Sequence, residues 1–307
     1  MICYQKLSTR PKLFQRLSGL TPAEFDRLHD KFVSVWREFV HQKFVVGRNR
    51  KRKYGGGNTP RLQSTEDKLL FALIYVRLYP LQVVIGYWFN LDESNANRWV
   101  HRLIPLLNQA LDYEHVLPQR GRGRSLDEII SEYPDLRDVL LDGVEQPIRR
   151  PKNKDKQQSQ YSGKKKRHTK KQVVITDPQT QRVIYTTPTC EGRDHDKTII
   201  ELQELVASTK ITVGGDKGFQ ALKLGQARII TPTKKPKGKD LPDYIEAQNQ
   251  VFSSLRISVE HSISGIKRSH IASDIYRNIK EGFDDVSFLS AVGLHNFRVE
   301  YRYLQHQ

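Results

Sequence analysis

The sequence predicts an α/β protein: a mixed sheet flanked by helices, preceded by an all-α domain. Two observations carry that prediction. Before about residue 112, apolar residues recur at three- and four-residue spacing behind capping residues, the pattern of amphipathic helices. From about Val139 the pattern changes to short, nearly continuous apolar runs that alternate with helical segments.

In the helical part, Thr21 reads as an N-cap with Pro22 at the first helical position, and Phe25, Leu28, Phe32 and Val35/Trp36 follow on one face. Residues 1–47 are therefore a helical N-terminal segment. The basic, glycine-rich stretch after it belongs to a linker over 48–63. Ser64 and Asp67 form a capping box that opens a helix through Arg77, and Pro80 stops it. A short apolar helix is expected over 81–89, a turn over 90–94, and a third helix from Ser94 to Leu107. That last helix presents Asn95, Asn97, Arg98, His101 and Arg102. Helix, tight turn and a polar, basic second helix are the layout of a helix-turn-helix DNA reader over 64–112. An ordinary three-helix bundle has the same pattern.

Beyond a connector at 113–137, residues 138–307 read as the sheet domain. Val139–Val144 is a strand buried on both faces that carries one carboxylate, Asp142. Gln172–Thr176 and Arg182–Thr187 form a hairpin turned by Asp177-Pro178. A helix over 196–208 and a strand over 210–213, ending in Gly214-Gly215-Asp216, continue the alternation. From about Pro242 the chain is helical.

The chain has 51 Lys+Arg against 34 Asp+Glu, a formal charge of +17. Such an excess says little about fold and much about partners, because it favours polyanions. It is concentrated in four interior segments: Arg48–Lys53, Arg120–Arg124, Pro147–Gln172 and Lys234–Asp240 net +5, +3, +10 and +3, and the rest of the chain nets −4. A membrane is not the polyanion expected. The longest apolar-looking run, Leu78–Leu91, falls short of the roughly 18 residues needed to span and contains Pro80 and Gly86. No secretory leader pattern opens the chain, and two cysteines allow no disulfide framework, which fits a reducing cytoplasm.

An ionised carboxylate inside an apolar strand needs a cation or a hydrogen-bond network, which singles out Asp142. Asp216 stands where a strand ends, the edge at which α/β sheets build sites. On the last long helix, Phe252, Leu255, Val259, Ile263 and Ile266 are expected to face the core, with Arg256, Glu260 and Lys267 about 100° round on one stripe. Two strand carboxylates and one helix carboxylate suit Mg²⁺ or Mn²⁺ with positions left for phosphate. A solvated row of i,i+4 ion pairs would show the same spacing. Glu145 lies on the opposite strand face from Asp142, and Asp177 fits a turn. His195 and Asp196 read as an acid–base or metal pair, or, for Asp196, as a first-turn helix residue.

Five motifs in order resemble the DDE transposases of bacterial insertion sequences. They are Leu141-Asp142-Gly143 through Pro147, Tyr161-Ser-Gly163 with Lys164–Lys166, Gly192 through Lys197, Gly215-Asp216 through Phe219, and Asn249 through Lys267 with Arg256 and Glu260. The likeness continues through Leu294-His-Asn296, and Thr65–Leu107 is similar to the helix-turn-helix of that family. The resemblance implies a ribonuclease H-like core and Asp142, Asp216 and Glu260 as catalytic metal ligands. It implies Arg256 and Lys267 on the scissile DNA. Some members carry Tyr where Ser253 stands, so a role for that Tyr has no counterpart here.

The expected function is binding of insertion-sequence ends, then metal-dependent cleavage and strand transfer through a 3′-hydroxyl. Partners would be double-stranded DNA, as element ends and target, and a second copy of the chain or more in the DNA complex. Work at the nucleoid in the cytoplasm follows from those partners. Lys164, Lys165, Lys166 and Arg167 are candidates for the DNA backbone, and Asn95, Asn97, Arg98 and Arg102 for reading the end sequence. The alternatives are a domesticated host endonuclease or a catalytically silent DNA-binding repressor.

Overall fold

Local caps set the helices. In the computed structural model, which describes residues 1–44, 46, 59–133, 136–236, 238 and 240–305, the Thr21 hydroxyl accepts from Glu24 N and the Glu24 carboxylate accepts from Thr21 N. This capping box opens α3 (Pro22–Phe44), after the short α1 (Tyr4–Ser8) and α2 (Pro11–Ser18). The Ser64 hydroxyl accepts from Asp67 N and opens α4 (Thr65–Leu78). Most of the expected 48–63 linker, with the whole Arg48–Lys53 run, lies outside the described residues, as do Lys237 and Lys239.

The chain divides into two compact units, residues 1–117 with 267–272 and 286–301, and residues 118–266 with 273–285 and 302–307. The first unit is all-α. Nine consecutive residues of α4, Lys68–Val76, are buried, so this helix is wrapped all round. α5 (Gln82–Phe89) and α6 (Glu93–Tyr113) follow it. Their turn depends on Gly86: an added Cβ would lie 2.8 Å from Leu91 O, a backbone atom with little room to give. The Asp92 carboxylate then accepts from Asn95 N and caps α6. α6 runs past Leu107 and through Pro105 to Tyr113, because Asn108, Ala110 and Leu111 are buried as well. Within this unit Asn108 donates to Val286 O and Asn296 to Val116 O, which ties the late segment 286–301 to α6 and the residues just after it.

In the second unit, α7 (Leu126–Ser131) precedes the sheet strands β1 (Asp138–Pro147), β2 (Tyr161–Ser162), β3 (Arg167–Thr176), β4 (Val183–Thr186), β5 (Cys190–Glu191), β6 (Thr212–Gly214) and β7 (Arg228–Ile230). The order is β2-β3-β1-β6-β7, with β4 and β5 also paired to β3. β1 and β3 are antiparallel, whereas β1–β6 and β6–β7 are parallel. This mixed sheet with flanking helices is the expected fold class and agrees with a ribonuclease H-like core. Val139 and Leu141 on β1, Val173 and Ile175 on β3, and Ile199 and Ile200 on α9 (Asp196–Glu201) share one buried cluster.

Two sequence expectations need correction here, and one strand has no sequence signal. α9 ends at Glu201, not Ser208: Glu204 turns to positive φ, and Val206 leaves to bridge Ser125. β7 was not foreseen, since its three residues give no periodic signal. On α10 (Asp243–Lys267), Phe252, Val259 and Ile266 are buried at seven-residue spacing with Ser262 beside them, while Leu255 is exposed. The chain continues through α8 (Lys154–Ser159), placed between β1 and β2, and ends in α11 (Phe283–Gln305). Among the described residues no helix is long and apolar enough to cross a membrane.

Candidate active site

The parallel pairing of β1 with β6 ends at Leu140 opposite Gly214. Asp142 and Asp216 each stand two residues beyond that pair, Asp142 still inside β1 and Asp216 just past β6, and Asp216 acts on Asp142 as a nearby like charge. Glycine permits this closeness of elements. A Cβ on Gly214 would meet the Leu140 side chain at 2.7 Å and the Phe252 ring of α10 at 3.1 Å.

Asp142 Oδ1 accepts from Gly143 N at 2.7 Å. Burial pushes its carboxyl above the ordinary carboxylate range, and the like charges of Asp216 and Asp196 add to the rise. The Gly143 N–H and the Arg256 guanidinium oppose it. Asp216 Oδ1 accepts from Gly218 N at 2.8 Å, which fixes its carboxylate at the head of the turn Lys217–Phe219.

α10 contributes Arg256 and Glu260, one turn apart. Arg256 Nη2 lies 3.9 Å from Asp142 Oδ2 and 3.9 Å from Glu260 Oε1. Glu260, with a side chain 60% exposed, thus reaches Asp142 through the guanidinium. Among the described residues no three His, Cys, Asp or Glu side chains stand close enough to hold a metal ion. The donor chemistry nevertheless fits a hard divalent cation: every donor is a carboxylate oxygen, and crowded negative charge around Asp142 calls for a counter-charge.

The remaining predicted residues are spread over both units. Lys164, Lys165, Lys166 and Arg167 are all exposed at the β2–β3 turn, where Lys166 takes a positive φ of 51° and the Ser162 hydroxyl accepts from Lys165 N. Lys267 is half-buried at the end of α10 and falls in the first unit. Also in the first unit, Arg98 is exposed near the start of α6 and donates to Asn95 Oδ1. Asn97 instead donates to Gln82 Oε1 of α5, and Arg102 lies over the Trp99 ring, 4.9 Å from its centroid. The rival acids are committed elsewhere: Glu145 accepts from the Thr169 hydroxyl, and Asp177 accepts from Gln179 N and the Thr180 hydroxyl of its turn. His195 is the exposed N-cap of α9.

Sequence reasoning assigned Asp196 no place beside Asp142. A Cβ on Gly143 would fall 2.7 Å from Asp196 Oδ2, so this carboxylate packs on the strand next to Asp142. A glycine inside an apolar strand was the available signal, since it marks a close approach.

Comparison with known proteins gives the same division of the chain. Residues 141–296 match the DDE superfamily endonuclease family, and residues 60–112 match the helix-turn-helix of DDE superfamily endonuclease. A probable transposase for insertion sequence element IS702 of Microchaete diplosiphon is 30% identical over 290 residues, covering 93% of this chain and 94% of that protein. No solved structure matches. With a helix-turn-helix in the all-α unit, two neighbouring carboxylates on and beside adjacent strands of a mixed sheet, and this likeness along nearly its whole length, the chain belongs to the DDE superfamily endonucleases, among the transposases of insertion sequences.

Proposed function

We propose that this transposase binds the ends of its insertion sequence, cuts a phosphodiester there and joins the freed 3′-hydroxyl to target DNA. The observation that carries the reading is the nearness of Asp216 to Asp142, felt as a like charge, with Arg256 of α10 reaching Asp142. In this reading Asp142, Asp216 and Glu260 are the catalytic carboxylates. A divalent cation held by them, Mg²⁺ or Mn²⁺, supplies Lewis-acid activation of the attacking oxygen and neutralises charge on the phosphate.

The chain's own groups do the rest. Arg256 leaves its carboxylates to hold the phosphate under attack, and Lys267 serves the same strand. Water attacks the phosphorus in line and the 3′-oxygen departs with a proton. That 3′-hydroxyl then attacks a target phosphodiester, displacing a target 3′-oxygen, so no covalent protein–DNA bond is required. Lys164, Lys165, Lys166 and Arg167 grip flanking phosphates. Asn95 and Arg98, at the first turns of α6, read base edges. Joining two ends calls for two such sites, hence a homodimer or larger assembly on DNA.

The test is labelled end DNA incubated with the protein in Mg²⁺ or EDTA, scored for both mobility shift and cleavage. Native protein should shift the DNA in either condition and cut it only with Mg²⁺. Asp142→Ala, Asp216→Ala and Glu260→Ala should still bind and fail to cut; full cleavage by the Asp142→Ala protein would falsify the assignment.

A further inference from the structure

A carboxylate that packs against Gly143, the residue after Asp142, belongs to none of the proposed metal ligands. Asp196, the first residue of α9, lies on the sheet face of Leu141 and Gly143, opposite the face to which Asp142 turns. It reaches the strand because residue 143 has no side chain: its carboxyl carbon and Oδ2 would stand 2.8 and 2.7 Å from a Cβ there. The Gly143 N–H is the one that holds Asp142 Oδ1. A chain of contact therefore runs from Asp196 through the Gly143 backbone to Asp142.

The surroundings of Asp196 do not suit a group whose work is done by capping a helix. Its Oδ1 is shielded from water and accepts no hydrogen bond. Lys171 of β3 stands 3.4 Å from that oxygen as an ion-pair partner, while its ammonium also donates to Asp194 O. That oxygen has an ion-pair partner but no hydrogen bond, a weak match for a half-buried carboxylate that calls for an explanation. α9, with six residues, offers too little helix for its dipole to supply one.

We propose that Asp196 is a positioning residue for the catalytic centre: it clamps Gly143 so that the backbone N–H orients Asp142, and it keeps a second negative charge behind that carboxylate. The inference rests on Asp142 being a catalytic carboxylate. Fixed orientation and added negative charge both favour cation binding at Asp142, as supporting carboxylates do at other metal sites.

The test is Mn²⁺ affinity, measured by electron paramagnetic resonance on the full-length protein, alongside cleavage of end DNA. Asp196→Asn should bind Mn²⁺ about tenfold more weakly and cut more slowly, with DNA affinity unchanged. Asp196→Glu keeps a charge at the start of α9 but moves the carboxylate by one methylene, so it should also lose Mn²⁺ affinity; this variant carries the test should Asp196→Asn not fold. Gly143→Ala, which drives a Cβ into the same carboxylate, should reproduce the loss. Native Mn²⁺ affinity in Asp196→Asn, or in Asp196→Glu when only that variant folds, overturns the proposal. Asp142→Asn is the control: if it too binds Mn²⁺ normally, the reading of the site fails and not the role of Asp196 alone.

Discussion

Arg256 Nη2 stands 3.9 Å from Asp142 Oδ2, which makes a helix cation the counter-charge of a strand carboxylate. Burial raises the Asp142 carboxyl and this guanidinium lowers it. Arg256→Gln should therefore leave Asp142 protonated to a higher pH. The acid limb of the cleavage–pH profile is expected to move upward, and cleavage near pH 7 to fall about 10²-fold with the loss of the phosphate contact. An acid limb that stays in place would show that the guanidinium does not face Asp142 in the working enzyme.

The same carboxylate should weaken the fold it serves. Its folded value lies above its ordinary 3.8, so its contribution to stability is full below that ordinary value and is lost as pH rises through the folded one. At neutral pH the ionised Asp142 is a cost that Asp142→Asn removes. That variant should melt above the native protein at pH 7, by about 2–4 °C for each kcal/mol relieved, with the difference closing toward pH 3. Equal melting temperatures at pH 7 would contradict the burial argument.

Asn97 and Arg98 are sequence neighbours with different work. Asn97 joins α6 to α5 through Gln82, whereas Arg98 is exposed and bonded within its own turn. Asn97→Ala should lower the stability of the helical unit by about 1 kcal/mol. Arg98→Ala should leave stability alone and weaken end-DNA binding by roughly 1–3 kcal/mol if it reads a base. Chemical denaturation and a binding titration separate the two, and the reverse pattern would exchange the roles.

Lys68 is 3% exposed, with its ammonium 4.9 and 5.9 Å from the ring centroids of Trp36 and Trp99 and donating to the carbonyls of Gln63 and Ser64. Burial lowers its pKa from 10.5 to about 8, although Asp67 and Glu66 pull the other way. Between those values the unfolded chain binds more protons, so stability should increase with pH across the window, by up to about 3 kcal/mol. Lys68→Met should lack that increase. Denaturation at pH 7.5 and pH 10 measures it, and parallel behaviour of the two proteins would place the ammonium in water.

Much of this is legible in the sequence. The N-caps at Thr21 and Ser64 and the apolar run around Asp142 announce themselves because hydrogen-bond caps and two-face burial leave local patterns. What escaped depends on contacts distant in sequence. The burial of Ser262 in place of Leu255 is one such case, since Ser262 donates to Gln181 O, and no helical period reports a partner 81 residues away. Asp196 is another: only the fold reveals which glycine it meets. The end of α9 likewise responds to a bridge formed with Ser125.

The placement of Asp142 beside Asp216 also bears on how such proteins change in length. The two acids are brought near each other by the pairing of β1 with β6 just before them, not by the long stretch of chain that connects them. Segments can be added or removed in the irregular chain between Glu201 and Thr212, or in the β3–β4 turn, without altering that spacing, provided the strands keep their register. Spacing along the sequence is therefore a poor guide to the pair, and the two-residue offset from Leu140 and Gly214 is the quantity that natural insertions and deletions must preserve.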